Sequence, residues 1–427
     1  MKVFFVNDST TNPNWGDRAA AVALMSMLRE SGADIVARLT EDDLLDSSFL
    51  RRDLNEAGVR SESTKTRIKS FVPPILLDIR GRLLQWASRY RSGAPVPEKW
   101  SDFDRAATGI LASRLDLPSF FGAMDETDVA VINGNGAMVG TGIIPRTDLF
   151  LAYIFKRYLD IPTVIVNHTA DFDNNVLKTM AANVYPLLDD VVFRDPVSVE
   201  RCAEFCDGRF APDTAFWFKP ARKSGWSSLA ARPTYFDVWP DSAAFNPSQS
   251  YVCLGGSSSL SRASRPQEII QGYRTLIDQI RAVYQGQIVL TVSARTDELI
   301  LRGVAAREGL PLLGLSTPVQ QAIDVVGNAD AYIGGRWHPS VFALGGGVPI
   351  VPLSAGTFKM RALGEMAGLT HQPFDIFSLQ SSAKNVAQQF VSYLEQGDEL
   401  RQRLLTWGEH MRRASWANVD YLKGGAG

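Results

Sequence analysis

The sequence predicts an α/β protein of two domains, each built around a parallel β-sheet. Three observations support this prediction. The chain has 427 residues, which is enough for two or three domains of ordinary size. Short, nearly continuous apolar runs alternate with amphipathic segments, as expected for parallel strands that helices cover on both faces. A stretch rich in Pro, Ser and Ala, residues 217–250, separates a first series of such segments from a second.

The first series, residues 1–216, begins with a β-rich run and a polar loop. A helix should follow that starts near Asp17, a favourable capping residue, and ends at Gly32. Another helix should begin at Pro196 with Asp195 as its cap. Strands are predicted at 3–7, 34–39, 128–134, 163–169 and 191–195.

The second series repeats this pattern, so we expect two Rossmann-like domains joined by a linker over 217–250. Residues 251–380 form the second domain, and residues 381–427 a helical segment that could cross back to the first. Amphipathic helices should separate the strands. The strands are predicted at 251–256, 287–293, 311–315, 331–335 and 348–353.

Charge and composition exclude several classes of protein. Lys and Arg number 44 against 46 Asp and Glu, a formal net charge of −2, which argues against a basic nucleic-acid binder. No apolar run is long enough to span a membrane, and the N-terminus lacks the features of a signal peptide. The three cysteines are too few for a disulfide framework. We therefore expect a cytoplasmic protein without nucleic-acid partners.

Residues 50–100 have a different character, because basic residues there interleave with apolar ones. Two interpretations are open. The segment could be an ordinary amphipathic insertion packed on the first domain. It could instead lie on an anionic membrane surface, which would make the protein peripheral at the inner face of the membrane.

Candidate binding residues follow several predicted strands, where open parallel sheets bind ligands. The first group, from Asn14 to Asp17, precedes the first helix. Gly16 allows a close approach, and the helix N-terminus offers N–H groups to an anion or a sugar hydroxyl. Asp17 can be read as a functional carboxylate or simply as the helix cap.

The second group is Asn133, Gly134, Asn135 and Gly136. Its glycine spacing is one residue too long for a dinucleotide fingerprint, and the next strand ends in His168 rather than in an acidic residue. A glycine turn lining a ligand cleft is the better interpretation. His168 is a candidate for substrate binding, with a purely structural role as the alternative.

The third group, Arg336, Trp337 and His338, follows a glycine-rich strand end. Arg presents a planar fork to phosphate or carboxylate, and His transfers protons near neutral pH. Arg194 ends a strand of the first half and could meet the same anion across a cleft, unless it forms a surface pair with Asp195. Lys359 could supply a further positive charge.

The order of these motifs resembles that of the polysaccharide pyruvyl transferases. The resemblance covers about residues 14–365 and rests on five motifs in the family's order. These are Asn14-Trp15-Gly16-Asp17; the strand DVAVINGNG; Arg194-Asp195-Pro196-Val197-Ser198; Asp213-Thr214-Ala215-Phe216; and Arg336-Trp337-His338 with Phe342, Ala343 and Pro349, followed by Lys359.

This resemblance implies a fold similar to the GT-B glycosyltransferases, with two domains facing a cleft. It also implies phosphoenolpyruvate as donor, and as product a pyruvate ketal on a sugar of a polysaccharide or its lipid-linked precursor. Arg194 and Arg336 correspond to family site residues, and His338 is our candidate for proton transfer. Trp337 stands where the family leads us to expect Leu, and Asn135 replaces a glycine.

The chemistry argues for two arginines that hold the donor and for acid–base groups that move two protons. Asp17 and Asp195 are the candidate partners of His338. No cofactor or metal is expected, since no carboxylate cluster has metal-binding spacing. Two alternatives remain: a nucleotide-sugar glycosyltransferase of the same fold, with Glu365 as its candidate ribose contact, and a non-catalytic glycan-binding protein.

Overall fold

The computed structural model divides the chain into two compact units. It describes residues 1–47, 50, 96–136, 138–140, 142–225, 238–239, 245–369 and 371–424. Unit 1 comprises Met1–Ser9, Leu24–Ala211 and Asn418–Gly427, and unit 2 comprises Thr10–Ala23 and Pro212–Ala417. Most of the predicted insertion, residues 51–95, lies outside the described part of the chain.

Unit 1 contains a six-stranded sheet in the order β2-β1-β3-β4-β5-β6, in which every pairing is parallel. The strands β1, β3 and β4 are buried almost throughout, as continuous apolar runs between two helical layers should be. The strands are β1 Lys2–Asp8, β2 Asp34–Thr40, β3 Val129–Asn133, β4 Thr163–His168, β5 Asp190–Phe193 and β6 Arg209–Phe210.

The helices of unit 1 cover this sheet, and their apolar faces form one core with it. Helix α7 begins at Pro196 with Asp195 as its cap, as predicted, because the Asp195 side chain accepts from Ser198 N. The helices are α2 Glu41–Asp46, α3 Phe103–Ala112, α4 Pro118–Asp125, α5 Ile143–Tyr158, α6 Asn175–Val184 and α7 Pro196–Cys202.

Unit 2 contains a second six-stranded sheet, in the order β12-β11-β8-β9-β10-β7. Its pairings are parallel except that between β10 and β7, which is antiparallel. The predicted fold class, two α/β domains with parallel sheets, is therefore confirmed. The strands are β7 Val238–Trp239, β8 Tyr251–Ser257, β9 Gln287–Thr291, β10 Leu312–Leu313, β11 Tyr332–Gly335 and β12 Ile350–Pro352.

The helices of unit 2 alternate with these strands and share its core. The helix Leu379–Glu395 packs extensively on the helix Pro266–Val283, and both helices have apolar faces at helical spacing. The helices are α8 Pro266–Val283, α9 Arg295–Glu308, α10 Val319–Val326, α11 Trp337–Gly345, α12 Lys359–Met366, α13 Leu379–Glu395 and α14 Gly397–Ala414; α15 Tyr421–Gly424 follows in unit 1.

The compact units group residues differently from the predicted domains near both ends of the chain, and the predicted boundaries remain predictions. Residues 10–23 group with unit 2, so the boundary falls within helix α1 Trp15–Glu30. Most of the helical segment 381–427 also belongs to unit 2, and its last residues to unit 1. The predicted linker contains β7, whose two residues are too few to show a period.

Candidate functional site

His338 lies in the first turn of α11, directly after β11. The helix begins at Trp337 because Arg336 is still extended, at φ −105° and ψ 127°. The imidazole is nearly buried, with 8% of the side chain exposed. This position at the carboxyl end of a parallel strand is the one expected for a residue that meets a ligand.

Two carboxylates of unit 2 face the two ring nitrogens of His338. Nε2 lies 3.4 Å from Asp213 Oδ2, and Nδ1 lies 3.9 Å from Asp17 Oδ1. The structure thus brings His338 together with Asp17, one of its two predicted partners. It adds Asp213, which belongs to a motif recognised in the sequence but had been given no role.

The Asn14–Asp17 motif forms the start of α1. Asn14 is the capping residue, since its Oδ1 accepts from Gly16 N at 2.9 Å and its carbonyl accepts from Arg18 N. The prediction of Asp17 as the helix cap is therefore wrong, because the helix starts at Trp15 and places Asp17 inside the first turn. That position leaves the Asp17 carboxylate beside His338.

Trp337 is buried, with 3% of its surface exposed. Its indole Nε1 donates to Asp213 Oδ2 at 2.8 Å. The polar atom of this predicted substrate-binding residue is therefore used to hold Asp213.

Arg336 forms a bidentate ion pair with Asp297 in the first turn of α9. Nε donates to both carboxylate oxygens at 3.0 and 3.1 Å, and Nη2 donates to Oδ1 at 2.8 Å and to Thr296 Oγ1 at 2.6 Å. Asp297 is fully buried and Arg336 is 14% exposed. The sequence predicted that the guanidinium group of Arg336 binds an anionic ligand, and it did not indicate the carboxylate of Asp297 as a partner.

Lys359 begins α12, and its Nζ donates to Ser258 Oγ at 2.9 Å. Ser258 directly follows β8, so Lys359 reaches across from the end of β12 to the end of β8. Beside it, Arg262 Nη2 donates to Ser259 Oγ at 3.4 Å. Serine hydroxyls and two cations thus share one edge of this sheet, a combination suited to a phosphate.

Arg194 directly follows β5 of unit 1 and is 1% exposed. Its Nε donates to Thr169 Oγ1 at 2.9 Å and its Nη1 to Asn135 Oδ1 at 3.1 Å. Thr169 in turn donates to Asp195 Oδ2 at 3.0 Å. The alternative of a surface pair between Arg194 and Asp195 is therefore wrong, because both residues are buried.

Asp195 combines two tasks in this network. It caps α7 by accepting from Ser198 N at 2.8 Å and Ser198 Oγ at 2.9 Å, and it binds the Thr169 hydroxyl. Burial raises the pKa of its carboxyl group, and these hydrogen bonds counteract the shift. The contacts assign Asp195 to the support of Thr169 and Arg194 within unit 1.

A ladder of asparagines connects the ends of three neighbouring strands in unit 1. Asn7 Nδ2 donates to the carbonyl of Asn133 at 2.9 Å, and Asn167 Nδ2 donates to Asn133 Oδ1 at 3.2 Å. Asn7, Asn135 and Asn167 have positive φ angles of 67°, 44° and 60°. Residues held in this left-handed region often mark functional sites.

The glycines of the second predicted group accommodate neighbouring side chains. A Cβ on Gly134 would lie 2.7 Å from His168 Cβ, and one on Gly136 would lie 3.4 Å from Arg194 Nη2. His168 is fully buried, packs on Phe193 and contacts the Tyr185 hydroxyl through Nε2 at 3.0 Å. These contacts describe a core histidine, the structural alternative considered for it.

Burial and, to a smaller extent, the nearby charge of Arg194 together lower the pKa of His168 to about 3. A histidine with this pKa stays neutral across the physiological range. It is therefore a poor group for proton transfer.

The partners missed from the sequence share one property: each is distant in the chain from the residue it holds. Asp213 and Asp297 act on His338 and Arg336, and Thr169 acts on Arg194. Among these partners, only Asp213 had a signal in the sequence, because it belongs to the Asp213–Phe216 motif.

Within the described residues, no group of three His, Cys, Asp or Glu side chains could hold a metal ion. No described helix is long and apolar enough to cross a membrane.

Comparison with known proteins adds a family and a fold. The sequence model of the family described as polysaccharide pyruvyl transferase matches residues 14–356. A search of curated proteins found none similar in sequence to this chain.

Solved structures with a similar fold include the spinosyn rhamnosyltransferase SpnG, at 13% identity and a TM-score of 0.50, with 99% of this chain and 100% of that chain covered. UGT89C1 from Arabidopsis thaliana complexed with quercetin aligns at 11% identity and a TM-score of 0.54, over 99% and 98%. UDP-GlcNAc 2-epimerase from Neisseria meningitidis aligns at 11% identity and 0.54, over 99% and 100%. The glycosyltransferases among these neighbours have the GT-B fold, which confirms the predicted fold class.

Proposed function

We propose, from the premise that this chain belongs to the polysaccharide pyruvyl transferase family, that it transfers pyruvate from phosphoenolpyruvate to a sugar. The family match over residues 14–356 is the observation that carries the proposal. It includes the Asn14–Asp17 motif, Arg194 and the residues Arg336 to His338. Lys359 lies just beyond its end. The product would be a pyruvate ketal on a polysaccharide or its lipid-linked precursor.

The proposed reaction balances without a redox partner. The C2 carbon of phosphoenolpyruvate gains bonds to two sugar hydroxyl oxygens. It loses its bond to the phosphate oxygen, and its double bond to the methylene carbon becomes a single bond. Of the two hydroxyl protons, one ends on the methylene carbon, which becomes a methyl group, and the other leaves with phosphate. Protonation of the methylene carbon makes C2 electrophilic, so the reaction requires a group that gives a proton and one that removes a proton.

His338 is the proposed proton-transfer group. It is the histidine of the family motif, and it lies at the end of a strand between the carboxylates of Asp213 and Asp17. A carboxylate beside an imidazole stabilises the charged imidazolium that forms when the ring takes up a proton. Asp17 is the proposed partner of Nδ1. Asp195 belongs to unit 1, where its contacts favour a supporting role.

Lys359 is the proposed contact of unit 2 with the donor's negative charge, and Arg194 is the corresponding candidate in unit 1. Arg194 donates to the oxygens of Thr169 and Asn135, and these hydrogen bonds orient its guanidinium group. Arg336 remains a candidate donor contact through Nη1, although Asp297 offsets much of its charge. Neither role uses a metal ion or an organic cofactor.

The acceptor is proposed to be a sugar with two neighbouring hydroxyls, free in a polysaccharide or carried on a lipid. Asn133 and Asn135 remain candidates for acceptor binding in unit 1, although both are buried and their amide groups already take part in hydrogen bonds. A phosphoenolpyruvate donor fits a cytoplasmic location. Contact with the inner face of the membrane would depend on residues 50–100 and is tested by flotation with anionic vesicles.

The test is phosphate release from phosphoenolpyruvate in the presence of lipid-linked oligosaccharide or polysaccharide acceptors. We expect acceptor-dependent phosphate release and an acceptor that gains the mass of a pyruvate ketal. The variant His338→Ala should lose roughly 10²- to 10⁴-fold in turnover. The matched control is His410→Ala, which removes an exposed histidine of α14 and should keep full turnover.

Parallel incubations with UDP-sugars and with acceptor alone distinguish the other interpretations. Transfer of a sugar from the nucleotide would identify a glycosyltransferase and contradict the proposal. Acceptor binding without turnover of either donor would identify a glycan-binding protein.

A further inference from the structure

Asp213 stands at the centre of the contacts around His338. It is fully buried, and in the chain it lies two residues after Ala211, where the long segment of unit 1 ends. Its Oδ1 accepts from Ala215 N at 2.8 Å, which caps the 3-10 helix Thr214–Trp217. Its Oδ2 accepts from Trp337 Nε1 at 2.8 Å and lies 3.4 Å from His338 Nε2.

These contacts fix the carboxylate in orientation. The backbone N–H at Oδ1 and the indole N–H at Oδ2 together prevent the group from turning about its Cβ–Cγ bond. Oδ2 is therefore held in front of Nε2, and a carboxylate oxygen in this place favours a proton on Nε2. The neutral ring then carries its lone pair on Nδ1.

Nδ1 faces the other side of the ring. Asp17 Oδ1 lies 3.9 Å away, beyond hydrogen-bond distance, and Gly16 borders the ring. Asp17 is half-buried, whereas Asp213 is fully buried. The two nitrogens thus differ in surroundings: Nε2 meets a fixed buried carboxylate, and Nδ1 meets a more exposed one at longer range.

We propose that Asp213 is the positioning residue of His338: it fixes the orientation of the imidazole and selects the tautomer with the proton on Nε2. This inference rests on the proposed function, in which His338 is the proton-transfer group. In this proposal Asp213 acts through the imidazole.

Trp337 extends the inference to a feature particular to this chain. The resemblance to the family leads to the expectation of Leu at this position. A leucine side chain has no N–H group that could donate to Asp213. Trp337 donates to the same oxygen that faces His338. The departure from the family pattern therefore gives Asp213 a second fixed donor.

The first measurement is the ¹⁵N spectrum of the histidine rings in the full-length protein. The chain has four histidines, and the signals of His338 are identified by their loss in His338→Gln. We expect ring signals of the Nε2–H tautomer and slow exchange of that proton with water. A His338 ring protonated on Nδ1 alone would overturn the proposal without any further variant.

The second measurement compares Asp213→Asn with a matched control, Asp324→Asn. Asp324 is also a buried carboxylate of unit 2, at 3% exposure, and it accepts from Ala221 N at 2.7 Å much as Asp213 accepts from Ala215 N. For Asp213→Asn we expect changed His338 ring signals and a loss in turnover of roughly 10²-fold or more. The Michaelis constant for phosphoenolpyruvate should change only a few-fold. Asp324→Asn should alter neither the ring signals nor turnover per folded molecule.

Trp337→Phe provides a variant that keeps the Asp213 carboxylate and the aromatic packing. It removes only the indole donor, so we expect faster exchange of the Nε2 proton and a smaller loss in turnover than in Asp213→Asn. Unchanged His338 ring signals in folded Asp213→Asn would overturn the proposal. Because the ring signals do not depend on turnover, they test Asp213 even if phosphoenolpyruvate proves not to be the donor.

Discussion

The imidazole of His338 lies directly against Gly16 in the first turn of α1. A Cβ placed on Gly16 would overlap Cβ, Cγ and Nδ1 of the histidine. Gly16 N is held by Asn14 Oδ1 at 2.9 Å, so the glycine cannot move away without breaking the cap of the helix. Gly16 therefore allows His338 to approach the start of α1 closely. The Asn14–Asp17 motif and the Arg336–His338 motif, although far apart in the chain, are in contact.

Gly16→Ala should displace His338. The added methyl group overpacks a buried contact, which typically costs about 1–3 kcal/mol, and turns the ring away from Asp213 and Asp17. We expect a lowered melting temperature together with at least a tenfold loss in turnover per folded molecule. Gly122→Ala is the control: Gly122 lies in α4, and an added Cβ would meet no atom within 4 Å beyond its chain neighbours and the backbone of its own helix. This variant should be as stable as the parent or slightly more so. Full turnover of folded Gly16→Ala would contradict the assignment.

The ion pair of Arg336 and Asp297 predicts a loss of stability from Arg336→Ala. Removal of the arginine leaves a fully buried carboxylate without its charge partner, which costs about 3–5 kcal/mol. Chemical denaturation should show this loss, and Arg336→Leu combined with Asp297→Leu should recover part of it. In the exposed pair of Arg265 and Glu268, Arg265→Ala should change stability by no more than about 1 kcal/mol. If Arg336→Ala kept the parental stability but bound the donor more weakly, Arg336 would serve donor binding and not the stability of the fold.

The sheets were predictable because their strands are apolar runs. β3 and β4 are buried along their whole length, and such runs stand out from amphipathic helices without knowledge of the partners. β6 and β7 were missed because each has only two residues and lies outside a continuous apolar run, whereas the equally short β10 lies within the apolar run 311–315. The strand character of β6 and β7 comes from pairing with a neighbour. The start of α1 was misplaced because Asp17 and Asn14 are both good caps, and the sequence does not show which one the helix uses.

The site was predictable only in part for a related reason. Strand ends and family motifs indicate where Arg336 and His338 lie. Their partners Asp297 and Asp213 belong to segments whose proximity depends on tertiary packing, which leaves no local period in the sequence. Asp297 resembles an ordinary acidic residue in the first turn of a helix, and the fold alone pairs it with Arg336.

Arg194→Lys should separate the charge of Arg194 from its geometry. Lysine keeps the positive charge but cannot donate to Thr169 Oγ1 and Asn135 Oδ1 together as the guanidinium does. We expect phosphoenolpyruvate binding, measured by calorimetry, to weaken by about 1.5–3 kcal/mol, the value of a hydrogen bond to a charged group. Arg209→Lys, on the partly exposed pair with Asp190, is the control and should bind the donor normally. Unchanged donor binding in folded Arg194→Lys would remove Arg194 from the donor site.

His168 predicts a loss of stability on mild acidification. In the unfolded chain a histidine titrates near pH 6.5, whereas burial and the charge of Arg194 hold the pKa of His168 at about 3 in the folded protein. As the pH falls from about 6.5 towards 3, the unfolded state therefore takes up a proton that the folded state does not. The stability present above pH 6.5 is lost across this window.

Chemical denaturation of the parent at pH 7.5 and pH 5 should reveal this contribution as about 1–2 kcal/mol of lost stability. In His168→Gln the amide can still reach the Tyr185 hydroxyl, although packing on Phe193 is poorer. This variant should be less stable at pH 7.5 but should lose less on acidification, because glutamine does not titrate. His410→Gln should keep the parental pH dependence, because His410 is exposed. A His168→Gln protein as sensitive to acid as the parent would show that other groups cause the acid sensitivity.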